Sequence, residues 1–136
     1  MRKTEKKQVE QDRATEYFLR YARYGFSARE GDPFALYESI RGSVRSAREA
    51  SAMLAVADTL RLLRYMERNE TVSAVRAVYF AGRGRRLRRS EVSYRIRRFA
   101  ADHYLDERTV YRRLSDAKHL LLHLLDVAEV YEGRAL

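Results

Sequence analysis

A single proline, Pro33, and six glycines interrupt 136 residues in which apolar side chains recur at intervals of three and four. That spacing puts successive apolar groups on one stripe of a 3.6-residue helix, whereas a half-buried strand needs alternation at two. The expected fold is therefore all-α, without sheet. A first helix over residues 5–24 groups Tyr17, Tyr21 and Tyr24 beside Phe18 and Ala22 and ends near Gly25. Asp32 as N-cap and Pro33 at the first helical position start a second. This one carries Phe34, Tyr37 and Ile40, weakens at Gly42 and is open to resuming through Val44 to Glu49. A third, over residues 51–69, aligns Leu54, Ala57, Leu60 or Arg61, and Leu63. Thr71 is the expected cap of a fourth, with Val72, Val75, Val78 and Tyr79 along one side and Gly82 as its stop.

Length and composition bound the function classes. With 46% hydrophobic residues the chain has the material for a core, and one compact domain is the default at this size. The absence of cysteine removes disulfide frameworks and thiolate metal sites. The sequence from Met1 has no apolar leader-like stretch, and no run approaches the roughly 18 apolar residues of a membrane span. The expectation is a cytoplasmic protein with no membrane partner.

The formal charge is +9, and it is concentrated: residues 83–118 hold 12 basic against 5 acidic side chains. Packing like charge together is unfavourable unless a polyanion neutralises it and releases condensed counterions. A solvated basic face is the simpler alternative. Within that window, residues 82–89 combine two glycines with Arg83, Arg85, Arg86, Arg88 and Arg89, a loop able to reach phosphates or a minor groove. No Gly-Lys-Ser/Thr follows, so it is not a phosphate-cradling P-loop.

Ser90 then reads as the cap of a helix with Val92, Ile96, Phe99 and His103 on its inner stripe, ending around Tyr104. After a very short turn, Asp106 is a good N-cap and Glu107 an acidic first-turn residue, and Val110, Leu114, Ala117 and Leu121 form an inward seam. Two helices joined this tightly suit a helix-turn-helix, whose second helix enters the major groove. The reading divides the chain into a helical region over residues 1–70 and a DNA-binding region with a long last helix over residues 71–136, both compatible with one compact domain.

The run Phe99-Ala100-Ala101-Asp102-His103-Tyr104-Leu105-Asp106-Glu107-Arg108-Thr109-Val110-Tyr111-Arg112-Arg113-Leu114 resembles the helix-turn-helix of sigma-factor region 4. Ala100 is the small residue where the helices touch, Leu105 the apolar turn residue, Asp106 the cap, and Thr109-Val110 the opening of the recognition helix. Two residues depart from the pattern: Tyr104 stands where such turns usually have glycine, and His103 replaces an apolar core residue. A tyrosine at positive φ is strained, which raises the alternative of a remodelled or longer turn. With an unrelated N-terminal half, the chain resembles phage late-transcription regulators of the ArpU and RinA type. The matching block is residues 71–125. The resemblance implies a phage or prophage regulator, in the cytoplasm of a bacterial host cell, binding promoter DNA to control late or lytic genes, and leaves RNA polymerase open as a further partner.

Base readout is expected from Glu107, Arg108, Tyr111, Arg112 and Ser115, since arginine pairs bidentately with guanine and glutamate accepts from cytosine. Phosphate contacts are expected from Thr109, Arg113, Arg95, Arg97, Arg98 and the arginines of the loop. No nucleophile, base and orienter combination stands out, so the chain reads as a non-enzyme without cofactor. His119 and His123, four apart, lack a third metal ligand and read as surface histidines, and His103 as a partly buried filler.

A small DNA-packaging subunit of the terminase kind and a helical protein-binding adaptor are the alternatives. Finally, Leu114, Ala117, Leu121, Leu124, Ala128 and Tyr131 make one heptad seam, while Leu120, Leu122, Leu125, Val127 and Val130 remain on other faces. A helix apolar nearly all round must be buried on two sides. Residues 120–131 are therefore the expected contact of a homodimer, unless the tyrosine-rich first helix folds back to cover the second face.

Overall fold

The start signal at Gly31-Asp32-Pro33 works as local chemistry dictates: the Asp32 carboxylate accepts from the backbone N–H groups of Phe34 at 3.1 Å and Ala35 at 3.3 Å, and Pro33 opens the helix. The computed structural model describes the backbone of residues 3–83 and 85–135 and the side chains of residues 13–83 and 85–129. Those residues are all-α, with no strand among them. The elements are α1 (Lys3–Arg23), a 3-10 turn (Phe26–Ala28), α2 (Pro33–Ser43), α3 (Ala47–Tyr65), α4 (Asn69–Val75), α5 (Arg89–Asp102) and α6 (Glu107–Ala135). The last turns of α4 widen into a π-helical segment, Arg76–Phe80.

Three helix starts differ from the sequence reading. α2 does not resume after Gly42, because Val44 is extended, at φ −101° and ψ 119°, and buried. α3 begins instead at Ala47, where the Ser46 hydroxyl accepts from the Glu49 N–H at 3.3 Å. Thr71 does not cap α4: the helix starts two residues earlier, after a turn with Glu67 at φ 61°, and Thr71 is buried inside it. Ser90 does not cap α5 either, since the helix begins at Arg89 after an extended Arg88.

The buried stripes meet in one cluster drawn from both halves of the chain. α3 is buried over a wide arc, from Ala52, Met53 and Val56 to Leu60 and Leu63, and its Thr59 hydroxyl is satisfied by the Ala55 carbonyl at 2.7 Å. Val110, Leu114, Ala117 and Leu121 all face inward along α6, which packs against α3, α4, α1 and α5. Aromatic contacts lock α1 onto the π-helical segment. Phe18 stacks on Tyr79 with ring centroids 5.6 Å apart and meets Phe80 edge-on at 6.3 Å.

The apolar residues of α6 outside the inward seam are covered only in part within the chain. α1 and α3 lie along α6, Arg13 pairs with Glu129 at 3.0 Å, Leu125 is buried, and Leu120, Leu122 and Leu124 are half-buried against the core. Val127 stays 39% exposed. Val130 and Tyr131 lie outside the described side chains.

One polar network also crosses the halves. The Glu30 carboxylate, with its side chain 8% exposed, pairs with both Arg64 of α3 and Arg76 of the π-helical segment. It also accepts from the Tyr21 hydroxyl at 3.1 Å. Burial pushes that hydroxyl far above its ordinary range, and the charge and hydrogen bond of Glu30 push it further, so Tyr21 is a fixed donor.

Candidate nucleic-acid interface

α5 and α6 are joined by four residues, 103–106, and the backbone N–H groups of the first three reach back to carbonyls of α5. The Leu105 N–H reaches back to the Ala100 carbonyl at 2.8 Å and the Tyr104 N–H to the Ala101 carbonyl at 3.3 Å. This paired closure requires a left-handed residue between its last two donors. Tyr104 supplies it at φ 55°, so the four-residue connection closes with a tyrosine in the left-handed region. Asp106 then caps α6, its carboxylate accepting from the Arg108 N–H at 2.9 Å. Phe99 and Ala100 are buried, and Leu105 packs partly against the core.

His103 is not a filler. It is exposed, with its ring stacked on Phe99 at 4.1 Å. His119 and His123 are also exposed, and no group of three metal-ligating side chains occurs among the described residues.

Tyr104 itself is 96% exposed, so nothing in the fold offsets its conformation. The left-handed region costs an L-residue about 1–2 kcal/mol, while the extra unfolded-state freedom of glycine costs about 0.5–1 kcal/mol. Tyr104→Gly is therefore expected to stabilise the fold, by about 0.5–1 kcal/mol. Chemical denaturation measures this, and a loss of stability would show that the ring has a partner.

The five residues expected to read bases share the outer side of the first turns of α6. Glu107, Arg108, Tyr111 and Arg112 are exposed and Ser115 is half-exposed. The helix N-terminus adds its own positive field at this end. Thr109 and Arg113 sit to one side, facing α4. The Arg113 guanidinium is already engaged by Glu70 at 3.1 Å, and Asp116 lies 3.8 Å from Arg68, contacts between distant segments that sequence spacing does not signal.

The remaining arginines divide. Arg95 turns inward, donating to the Val78 carbonyl at 2.8 Å, and so does not join the exposed set. Arg98 hydrogen-bonds the Tyr94 hydroxyl at 3.2 Å, and Arg85 pairs with Glu91 at 2.9 Å. Arg83, Arg86, Arg88, Arg89, Arg97, Arg108 and Arg112 are exposed and make no ion pair with another described residue. Among the described residues no helix is long and apolar enough to cross a membrane.

Comparison with known proteins finds no matching family model, curated protein or solved structure.

Proposed function

We propose that the chain is a sequence-specific DNA-binding transcriptional regulator that reads the major groove with the first turns of α6. One observation carries this reading. Arg108 and Arg112 project from the outer face of α6 without a carboxylate partner, next to exposed Glu107 and Tyr111. The same chain pairs Arg20, Arg64, Arg76 and Arg113 with acidic side chains. Arginines held on one helix face and left unpaired suit guanine edges and phosphates, which supply the missing acceptors. The unpaired arginines of the loop and of α5 extend that surface along a sugar-phosphate rail.

The resemblance to sigma region 4 rests on the run from Phe99 to Leu114, with His103 and Tyr104 as its departures. It brings with it the narrower proposal of a phage or prophage regulator of late genes, with RNA polymerase as a further partner. A homodimer through residues 120–131 belongs to the same reading: α1 and α3 pack on α6, while Leu120, Leu122 and Leu124 stay half-buried and Val127 exposed.

Selection from random duplex DNA, followed by binding titrations of variants, tests the assignment. Arg108→Ala and Arg112→Ala are expected to weaken the selected site more than random DNA, each losing about 1–3 kcal/mol of discrimination. Arg86→Ala is expected to weaken both alike. Equal losses on both DNAs for all three variants would place the reading face elsewhere.

A further inference from the structure

A second cationic feature lies apart from the α6 face. Between α4 with its π-helical segment and α5 runs an open groove of about 570 Å³, lined by Ser73, Arg76, Arg95, Arg98, Phe99 and His103 among others. Three guanidinium groups border it against one carboxylate, Asp102, which stands 3.9 Å from Arg98. Arg76 shares Glu30 with Arg64, so one carboxylate serves two cations there.

Arg95 is the decisive group. It is half-buried, and no described carboxylate pairs with it. Its anchor is the carbonyl of Val78, one of the last carbonyls before the helix ends and so without a helical partner of its own. Gly82 leaves the room for this placement: a Cβ there would stand 2.9 Å from Arg95 Nη2 and 3.6 Å from Nη1. One bond thus fixes the fork while other donors of the five-donor guanidinium remain for the groove. A held, partly desolvated cation balanced only by a neutral carbonyl is complemented best by an oxyanion. Beside it, the His103 ring stacked on Phe99 gives an aromatic wall, and Ala77 and Ala81 leave the floor low.

We infer that this groove binds a small phosphorylated ligand carrying a planar ring, of the mononucleotide class, with its phosphate on Arg95 and Arg98 and its ring against His103. None of the groove residues belongs to the α6 reading face, though Arg95 and Arg98 are among the arginines expected at DNA phosphates, so the inference is independent of base readout and not of phosphate contact.

Calorimetric titration of the full chain with AMP, and separately with inorganic phosphate, tests it, with the melting of each variant recorded alongside. The expected result is saturable AMP binding, with phosphate binding more weakly. Arg98→Ala removes an exposed side chain and keeps the fold; it is expected to weaken AMP about tenfold or more, as is Gly82→Val, which displaces the Arg95 guanidinium. Arg112→Ala is expected to leave AMP binding unchanged. Absence of saturation at millimolar AMP overturns the proposal. So does binding that survives both Arg98→Ala and Gly82→Val, or that falls equally in Arg112→Ala. Equal affinities for phosphate and AMP overturn the aromatic contact.

Discussion

Reversing two charges at the start of α6, Arg108→Glu together with Arg112→Glu, is expected to abolish DNA binding and leave the fold standing. Both side chains are exposed and neither makes an ion pair with another described residue, so folding loses no ion pair with them. Surface changes of this kind stay within about 0.5 kcal/mol. The helix itself is indifferent, since a like-charged arginine pair four apart is exchanged for a like-charged glutamate pair, and acidic groups suit a helix N-terminus. Binding changes far more. Two base contacts at about 1–3 kcal/mol each are lost, and four units of charge swing toward repulsion of the phosphates. A loss on the order of a thousandfold or more is expected by fluorescence anisotropy, with an unchanged melting temperature. Retained binding by a folded double variant would remove α6 from the interface.

The largest effect on stability is expected from Phe18→Ala. The ring is fully buried, stacks on Tyr79 and meets Phe80 edge-on, and so joins α1 to the π-helical segment. Removing a buried phenyl costs about 3–5 kcal/mol, combining lost transfer energy with the cavity left behind. The aromatic pairs add geometry-dependent attraction of about 0.5–1.5 kcal/mol to that loss. For a chain of this size the melting temperature should fall by on the order of 10 °C or more. Calorimetry is also expected to show one transition, because the ring bridges the two halves. A variant melting near the wild-type temperature, or in two steps, would contradict the shared core.

The helical seams were legible because burial and periodicity agree. Val72 and Val75 in α4, Val78 and Tyr79 in the π-helical segment, and Val110, Leu114, Ala117 and Leu121 in α6, are buried as their spacing predicts. Caps were legible where side-chain chemistry alone sets the start, as at Asp32 and Asp106. They were misread where tertiary structure sets it. Thr71 and Ser90 look like caps, yet both lie inside helices that begin earlier. The Ser46 cap had a signal, a serine followed three residues later by Glu49, which the weak break at Gly42 obscured.

The α6 face was legible for the same reason as the seams, as the complement of the buried stripe. The pairing of Arg113 with Glu70, the inward turn of Arg95 and the Glu30 network were not, because they join segments far apart in sequence. The tyrosine of the turn was legible as strain, but not as strain the fold accepts.

The central claim is tested most directly by the salt dependence of duplex DNA binding by the wild-type chain. If the unpaired arginines of α6, α5 and the loop meet phosphates, the logarithm of the binding constant falls linearly with the logarithm of salt concentration. A surface making about 6–10 phosphate contacts gives a slope of roughly −5 to −9. A folded chain that binds no duplex at low salt, or binds it with a slope near zero, would contradict the account.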